Sequence, residues 1–573
     1  MTQSTISTAT NRATTAIDGV ANAYFDGLIE RNPDFATTLG LPGRETEYGD
    51  YSPAGREAEA AAARETLAAL DGLEPVDEVD AVTLDALRER LGLELEIHET
   101  GVVELNNLAS AAQSIRSILD LMPQETAEHW EHISGRLANL PQALDGYVES
   151  LRDAQSRGQV PARRQVATVI EQTRDYAKDD GYFERLAQDA VVVDGELPAE
   201  LRVELTRNAR VAAEAYDGFA DFLEVELLPE APGEDAVGRE YYALMSRRFL
   251  GAEIDLEETY AWGVQELERL IAEQREVAET IKPGASIEEA KELLDADPAR
   301  QLQGTDALRD WMQEKSDAAI AALKDSHFEI PEPMDRLECM IAPTQEGGVY
   351  YTGPSDDFSR PGRMWWSVPA GEDQFTTWAE TTTVYHEGVP GHHLQIATQT
   401  RLKGLLNNWR RHACFTSGQA EGWALYAERL MLDLGHLADP GDHMGMLDMQ
   451  RMRAARVVFD IGVHLGLEIP EQWREELLPD GGATTWTPEV GYEFLQRHLA
   501  ISEGQLKFEF TRYLGWPGQA PSYKVGQRLW EEIRDTRRER EGEAFDLKAF
   551  HTEALAVGSV GLDTLRRALL PTD

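Results

Sequence analysis

Apolar side chains recur at steps of three and four along most of this chain, the spacing that gathers them on one face of an α-helix. Ile17, Val20, Tyr24, Phe25 and Leu28 form the first such stripe, and Asn32-Pro33 ends it. A loop rich in Gly, Pro and aromatic residues follows over 40–53. Helical spacing returns over 58–98, with Leu84, Leu87, Leu91 and Leu95 in line, and over 130–151 beyond Met122-Pro123. Shorter helical pieces are expected within 160–193, then helices over 200–228, 255–281 and 307–324. Further helices are predicted over 416–434, 444–467, 488–513 and 523–540.

One stretch breaks the pattern. Between Pro331 and Pro369, Gly and Pro punctuate short β-branched and aromatic runs such as Val349-Tyr350-Tyr351 and Met364-Trp365-Trp366. The expected fold is therefore mostly α: a large helical body around a deep cleft, with a small β insert at about 335–370. The Pro/Gly-rich patch from Pro229 to Gly233 is the best hinge, dividing an N-terminal half (1–233) from a C-terminal half (234–573) unless the chain forms one continuous domain.

Charge narrows the partners. The 573 residues hold 54 Lys+Arg against 103 Asp+Glu, a net charge of −49, which argues against nucleic acid or an anionic membrane. Two cysteines, Cys339 and Cys414, cannot form a disulfide framework. The first fifteen residues are polar, without the apolar stretch of a secretory signal, and no run is long enough to span a membrane. A cytoplasmic location is expected; oligomeric state leaves no trace in the sequence.

The chemistry concentrates at Tyr385-His386-Glu387-Gly388-Val389-Pro390-Gly391-His392-His393. Helix-borne zinc hydrolases show H-E-x-x-H, because imidazoles at i and i+4 share a face and the Glu works on water activated by the metal. Here Pro390 stands where the second His would be. On a regular helix His386 and His392 lie ~120° and ~9 Å apart, too far to share an ion. Pro390 cannot give an N–H to the His386 carbonyl, and Gly391 tolerates angles closed to other residues, so a two-residue bulge is expected to return His392 to the missing position. His393 is the competing ligand. The alternative is a kinked helix capped by polar groups, with no metal.

A catalytic zinc usually takes three protein ligands. Glu421 is the expected third, on a helix where Thr416 and Gln419 hold capping-box positions, and Glu428, seven residues on, is expected to orient a histidine. Thr377-Trp378-Ala379-Glu380 has the capping-box form for the helix of His386. Arg453, Arg456, Asp460 and His464 share one helix face, as an internal salt-bridge ladder, as support behind the metal ligands, or with His464 donating to a transition state. Tyr523 and Arg512 are candidates to steady an oxyanion, against a plain packing role. Arg360, Arg453, Arg456 and Lys524 are candidate partners for a substrate carboxylate.

Four ordered motifs, His386-Glu387-x-x-Pro390-Gly391-His392, Glu421-Gly422-Trp423-Ala424-x-Tyr426-x-Glu428, Asp460-x-Gly462-x-His464 and Pro517-Gly518-Gln519-Ala520-x-x-Tyr523-Lys524-x-Gly526, resemble those of the bacterial domain-of-unknown-function family eight-eight-five. Ser359-Arg360-Pro361-Gly362 and Asn32-Pro33-x-x-Ala36-Thr37-x-x-Gly40 match as well. The resemblance implies a nearly all-helical protein similar to zinc metallopeptidases with helical clefts, and it favours His392 over His393. The combined expectation is a hydrolase of peptide or other small amide substrates, with one zinc ion on His386, His392 and Glu421, other divalent metals remaining possible. Glu387 is the expected general base, with Tyr523, Arg512 and His464 as supporting catalytic groups. A hydrolase of non-peptide amides or esters, or a metal-free helical binding protein, is the alternative.

Overall fold

The computed structural model describes residues 12–343, 348–479 and 481–571. The first eleven residues of the polar start, and Gly347 of the expected β insert, lie outside them. The chain is 66% helix and 5% strand, a mostly α protein with small sheets. Proline and capping residues set many helix ends: Ala16–Arg31 begins on a Thr15–Asp18 capping box, and Pro53–Ala69 follows a Ser52 cap.

Periodicity runs through two breaks. The stripe over 58–98 is two helices, Pro53–Ala69 and Glu78–Thr100, because the Asp77 side chain accepts the Asp80 N–H and starts a new helix. The stripe over 488–513 is Pro488–His498 and Glu503–Gly515, separated by a Ser502–Gln505 capping box. The helix over 200–228 is α-helical only for Ala199–Phe222 and closes in a π turn, Leu223–Leu227.

The β insert is a three-stranded mixed sheet. Among strands β1 (Gln301–Gln303), β2 (Leu337–Ile341), β3 (Gly348–Thr352), β4 (Gly362–Ser367) and β5 (Gln374–Thr376), β4 lies centrally, parallel to β2 and antiparallel to β3. The pair β1–β5, antiparallel, leads straight into the first helix of the site. Its three-residue strands are too short to show periodicity.

Two large hydrophobic cores organise the helices. One is built entirely from residues between Val103 and Ala231. The other draws on Ile17 to Leu91 and on Tyr242 to Leu570. A cleft of about 950 Å³ lies between them, with Tyr147 of the smaller body facing Glu94, Tyr241, Trp409, Trp516 and Glu421 of the larger. A second cavity of about 850 Å³ adjoins it and shares Val102, Val103, Glu104, Tyr241 and Trp516 as a wall. No described helix is long and apolar enough to cross a membrane.

Candidate metal centre

Five helices of the larger body position the site, labelled here α1 (Thr377–Glu387), α2 (His392–Arg401), α3 (Ser417–Asp433), α4 (Pro440–Leu465) and α5 (Ser522–Glu541). α1 ends at Glu387 and α2 begins at His392, so the helix does not run through Pro390. The Val389–Pro390 peptide is cis. The Gly391 N–H donates to the Tyr385 carbonyl at 3.1 Å, spanning six residues where an α-helix spans four. That is a loop with two residues more than a helical turn. Gly391 is required there, since a Cβ would stand 1.9 Å from the His386 carbonyl oxygen. The Trp423 indole N–H of α3 holds the loop from behind, donating to the carbonyls of Pro390 (2.9 Å) and Gly391 (3.3 Å).

The result is convergence. His386 and His392 stand with ring centroids 4.8 Å apart and planes at 89°. Glu421 Oε2 lies 3.3 Å from His386 Nε2 and 3.6 Å from His392 Nε2. The donor atoms of all three residues fall within 4.8 Å of one another. Ligands held ~2.1 Å from a tetrahedral ion lie about 3.4 Å apart, so the donor set has the size such an ion asks for. Glu421 Oε2 and His392 Nδ1 are buried without a hydrogen-bond partner among the described residues.

Glu428, two turns along α3 from Glu421, accepts from His386 Nδ1 at 2.7 Å and from Gln450 Nε2 of α4 at 3.0 Å. It thereby fixes the His386 tautomer and turns Nε2 toward Glu421. Burial works against a charge on His386, but the carboxylates around it, Glu421 facing Nε2, Glu428 bonded to Nδ1 and Glu387 nearby, push its pKa up to about 10. Glu421 meets the same desolvation, and the two imidazoles outweigh it, holding its carboxyl well below the usual range. Facing acceptors with that demand for positive charge suit a cation between them. Glu387 is buried, and desolvation raises its pKa against the pull of His392 and His386. Its carboxylate makes no hydrogen bond to another described residue.

Not every expected residue comes here. His393 points away: its Nε2 bonds the Met334 carbonyl at 2.7 Å and its Nδ1 the Tyr351 hydroxyl at 2.9 Å, which removes it as a ligand. Gly362 of the Ser-Arg-Pro-Gly motif makes room for that pair, since a Cβ there would meet Tyr351 Oη at 2.1 Å. His464 also stands apart. Eleven residues beyond Arg453 on α4, or ~16 Å of rise, it faces the Tyr513 carbonyl (3.1 Å) and the Val237 N–H (3.4 Å). The α4 face is not a ladder either. Arg456 pairs with Glu509 at 3.1 Å and Tyr513, while Asp460 accepts from the Tyr242 hydroxyl (2.7 Å) and the Gly518 N–H (2.8 Å). Arg512 is spent on Glu509 (2.8 Å) and Gln519 (2.9 Å).

Neither expected capping box in the site helices forms. Thr376, one residue earlier than expected, caps α1 without a side-chain bond, and the Thr416 hydroxyl donates instead to the Val560 carbonyl at 3.1 Å.

Tyr523 does belong to the surroundings of Glu421. α5 crosses α3 where Gly422 and Gly526 meet backbone to backbone, a Cβ on Gly422 standing 2.4 Å from the Gly526 carbonyl carbon. The Tyr523 ring lies under the guanidinium groups of Arg453 (5.9 Å) and Arg456 (5.4 Å), and its hydroxyl has no hydrogen-bond partner among the described residues. Burial and the Glu421 charge raise its pKa, against Arg512, Arg456 and Arg453.

Comparison with known proteins follows the same lines. The sequence profile of the family described as "Bacterial protein of unknown function (DUF885)" matches residues 33–569. A search of curated proteins gives no match. Among solved structures, a "putative lipoprotein" from Colwellia psychrerythraea superposes with a TM-score of 0.81 at 21% identity, covering 96% of this chain and 98% of that one. A second protein so described, "of unknown function", from Shewanella oneidensis, superposes with a TM-score of 0.72 at 16% identity, covering 97% and 100%. At these identities the likeness is one of fold.

Proposed function

The chain belongs to the DUF885 family of bacterial proteins of unknown function, and from that premise we propose that it is a metal-dependent hydrolase of peptide or other amide bonds, with zinc as the expected ion. The observation that carries this reading is the convergence of His386, His392 and Glu421, three donors from α1, α2 and α3 spaced as tetrahedral ligands are, beside a buried and unbonded Glu387. His386, His392 and Glu421 would hold a divalent ion, which would supply Lewis acidity for a carbonyl oxygen and for water. Glu387, raised by burial and placed next to His386, is suited to take a proton from the attacking water and deliver it to the leaving nitrogen. Glu428 keeps the proton of His386 on Nδ1, so that Nε2 stays a donor of electrons. Tyr523 offers a free hydroxyl near Glu421 for the developing oxyanion. The cleft of about 950 Å³ that reaches Glu421 has the capacity for an oligopeptide.

We place the reaction in the cytoplasm on the two free cysteines, Cys339 and Cys414. The lipoprotein wording used for the two structural neighbours points the other way.

The test is elemental analysis of protein purified without added metal, joined to turnover of a peptide panel by wild type and Glu387→Gln. About one ion per chain is expected in both, with turnover lower by ~10²–10⁴ in the variant. A metal-free wild type, or an unchanged rate in Glu387→Gln, sinks the proposal.

A further inference from the structure

Of the four cations that could receive a substrate carboxylate, three are already occupied. Arg360 spends Nη1 on the Pro361 carbonyl (3.1 Å) and Nη2 on the Gly353 carbonyl (2.7 Å), folding its own loop. Arg456 is held by Glu509 and the Tyr513 hydroxyl. Lys524 is enclosed by Glu266 (2.9 Å), Gln450 (2.5 Å) and Gln527 (2.9 Å). Each has a complete structural explanation.

Arg453 does not. It is 8% exposed, yet it makes no ion pair among the described residues. Its one hydrogen bond runs from Nη1 to the Met449 carbonyl of its own helix at 3.2 Å, and Nε is buried without a partner. The Nε–Nη2 edge, the fork that grips a carboxylate with two parallel bonds, is therefore wholly unused. A buried guanidinium in this condition is costly unless something completes it.

The surroundings say what that is. Arg453 sits one turn along α4 from Gln450, which holds Glu428, and its charge acts on both Glu428 and Glu387. Its guanidinium lies over the Tyr523 ring. Glu387, Glu421 and Glu428 bring three negative charges, and a divalent ion with Arg453 brings three positive ones. With no substrate bound, these charges cancel, so an entering anion meets no excess of carboxylate, and among the four candidate cations Arg453 alone keeps an unused two-donor edge.

We infer that Arg453 is the specificity-determining residue of this centre: its Nε–Nη2 edge receives the free carboxylate of the substrate, directing the enzyme to peptides with an unblocked carboxyl end. The inference rests on the hydrolase reading for its meaning but can be tested without turnover.

The probes are N-acetyl-alanyl-alanine and its C-terminal amide, titrated calorimetrically into the metal-loaded protein. Wild type is expected to bind the acid ten- to a hundred-fold tighter than the amide, the range of a charge-assisted bidentate pair. Arg453→Met should bind both equally weakly at unchanged metal content. Arg453→Lys, which keeps the charge without the fork and guards against a misfolded Met variant, should retain only part of the preference. Equal binding of the two probes by wild type, binding of neither, or a preference that survives in Arg453→Met overturns the inference. The last result would mean that the metal itself takes the carboxylate. Failure of the hydrolase reading shows separately, as absent turnover of either peptide form.

Discussion

At the scale of single residues, adjacent histidines on one helix do different work. His392 contributes to the donor cluster, whereas His393 bridges Met334 and Tyr351 on the far side of α2. Replacing each by Ala separates the two roles. His392→Ala should lose bound metal by elemental analysis while remaining folded. His393→Ala should keep about one ion per chain and lose ~1–3 kcal/mol of stability in denaturant melts, because it strands a buried carbonyl and a buried hydroxyl. Equal metal content in the two variants would contradict the ligand set. The bulge at Pro390 was readable in the sequence because a missing N–H and a flexible neighbour are local facts. So was the role of Glu428 in orienting a histidine, since a seven-residue step on a buried helix has few places to point, although which histidine donates to it was not readable. Trp423 and Gln450 were not readable. Nothing in an indole or an amide announces that it will meet a loop or a carboxylate from another helix. His464 and Arg512 were misjudged for the same reason, their partners being Tyr513, Val237 and Glu509 on distant segments.

At the scale of elements, buried polar junctions fix how the helices of the site lie against their neighbours. Asp460 of α4, completely buried, ties the helix Arg239–Leu250 through Tyr242 and the turn before α5 through Gly518. Desolvation raises its carboxyl to about 7, despite the bonds from Tyr242 and Gly518 and the charge of Arg512. The folded state therefore binds more protons than the unfolded state between about pH 4 and pH 7, and stability from this group falls as pH rises through that window. The loss is on the order of 3 kcal/mol. Denaturant unfolding at pH 5 and pH 8 should show it in wild type and not in Asp460→Asn, which keeps an acceptor for both donors. The same slope in both proteins would place the pH dependence elsewhere. Helix positions were legible from periodicity, but the capping residues at Asp77 and Ser502 that split two stripes were outvoted by it. Apolar spacing continues across a short break, so only the cap marks the boundary.

At the scale of the whole molecule, the mostly α architecture with a β insert followed from the pattern of the chain, whereas the division into cores did not. A sequence shows stripes, and which stripes share a core depends on residues hundreds of positions apart, such as Leu91 and Leu562, which both belong to the larger one. The smaller core, Val103 to Ala231, is bracketed by two segments of the larger body, and both crossings line the 850 Å³ cavity, at Thr100 to Leu105 and at Pro232 to Arg239. In the language of protein engineering, this body is a cassette with its entry and exit side by side. Splicing 101 to 238 through a short Gly-Ser linker should leave a chain that still folds and binds one ion, because every proposed ligand belongs to the host. Circular dichroism and metal content would judge it. What such a chain would lose is one bank of the cleft, and with it the grip on anything longer than the few atoms held at the metal.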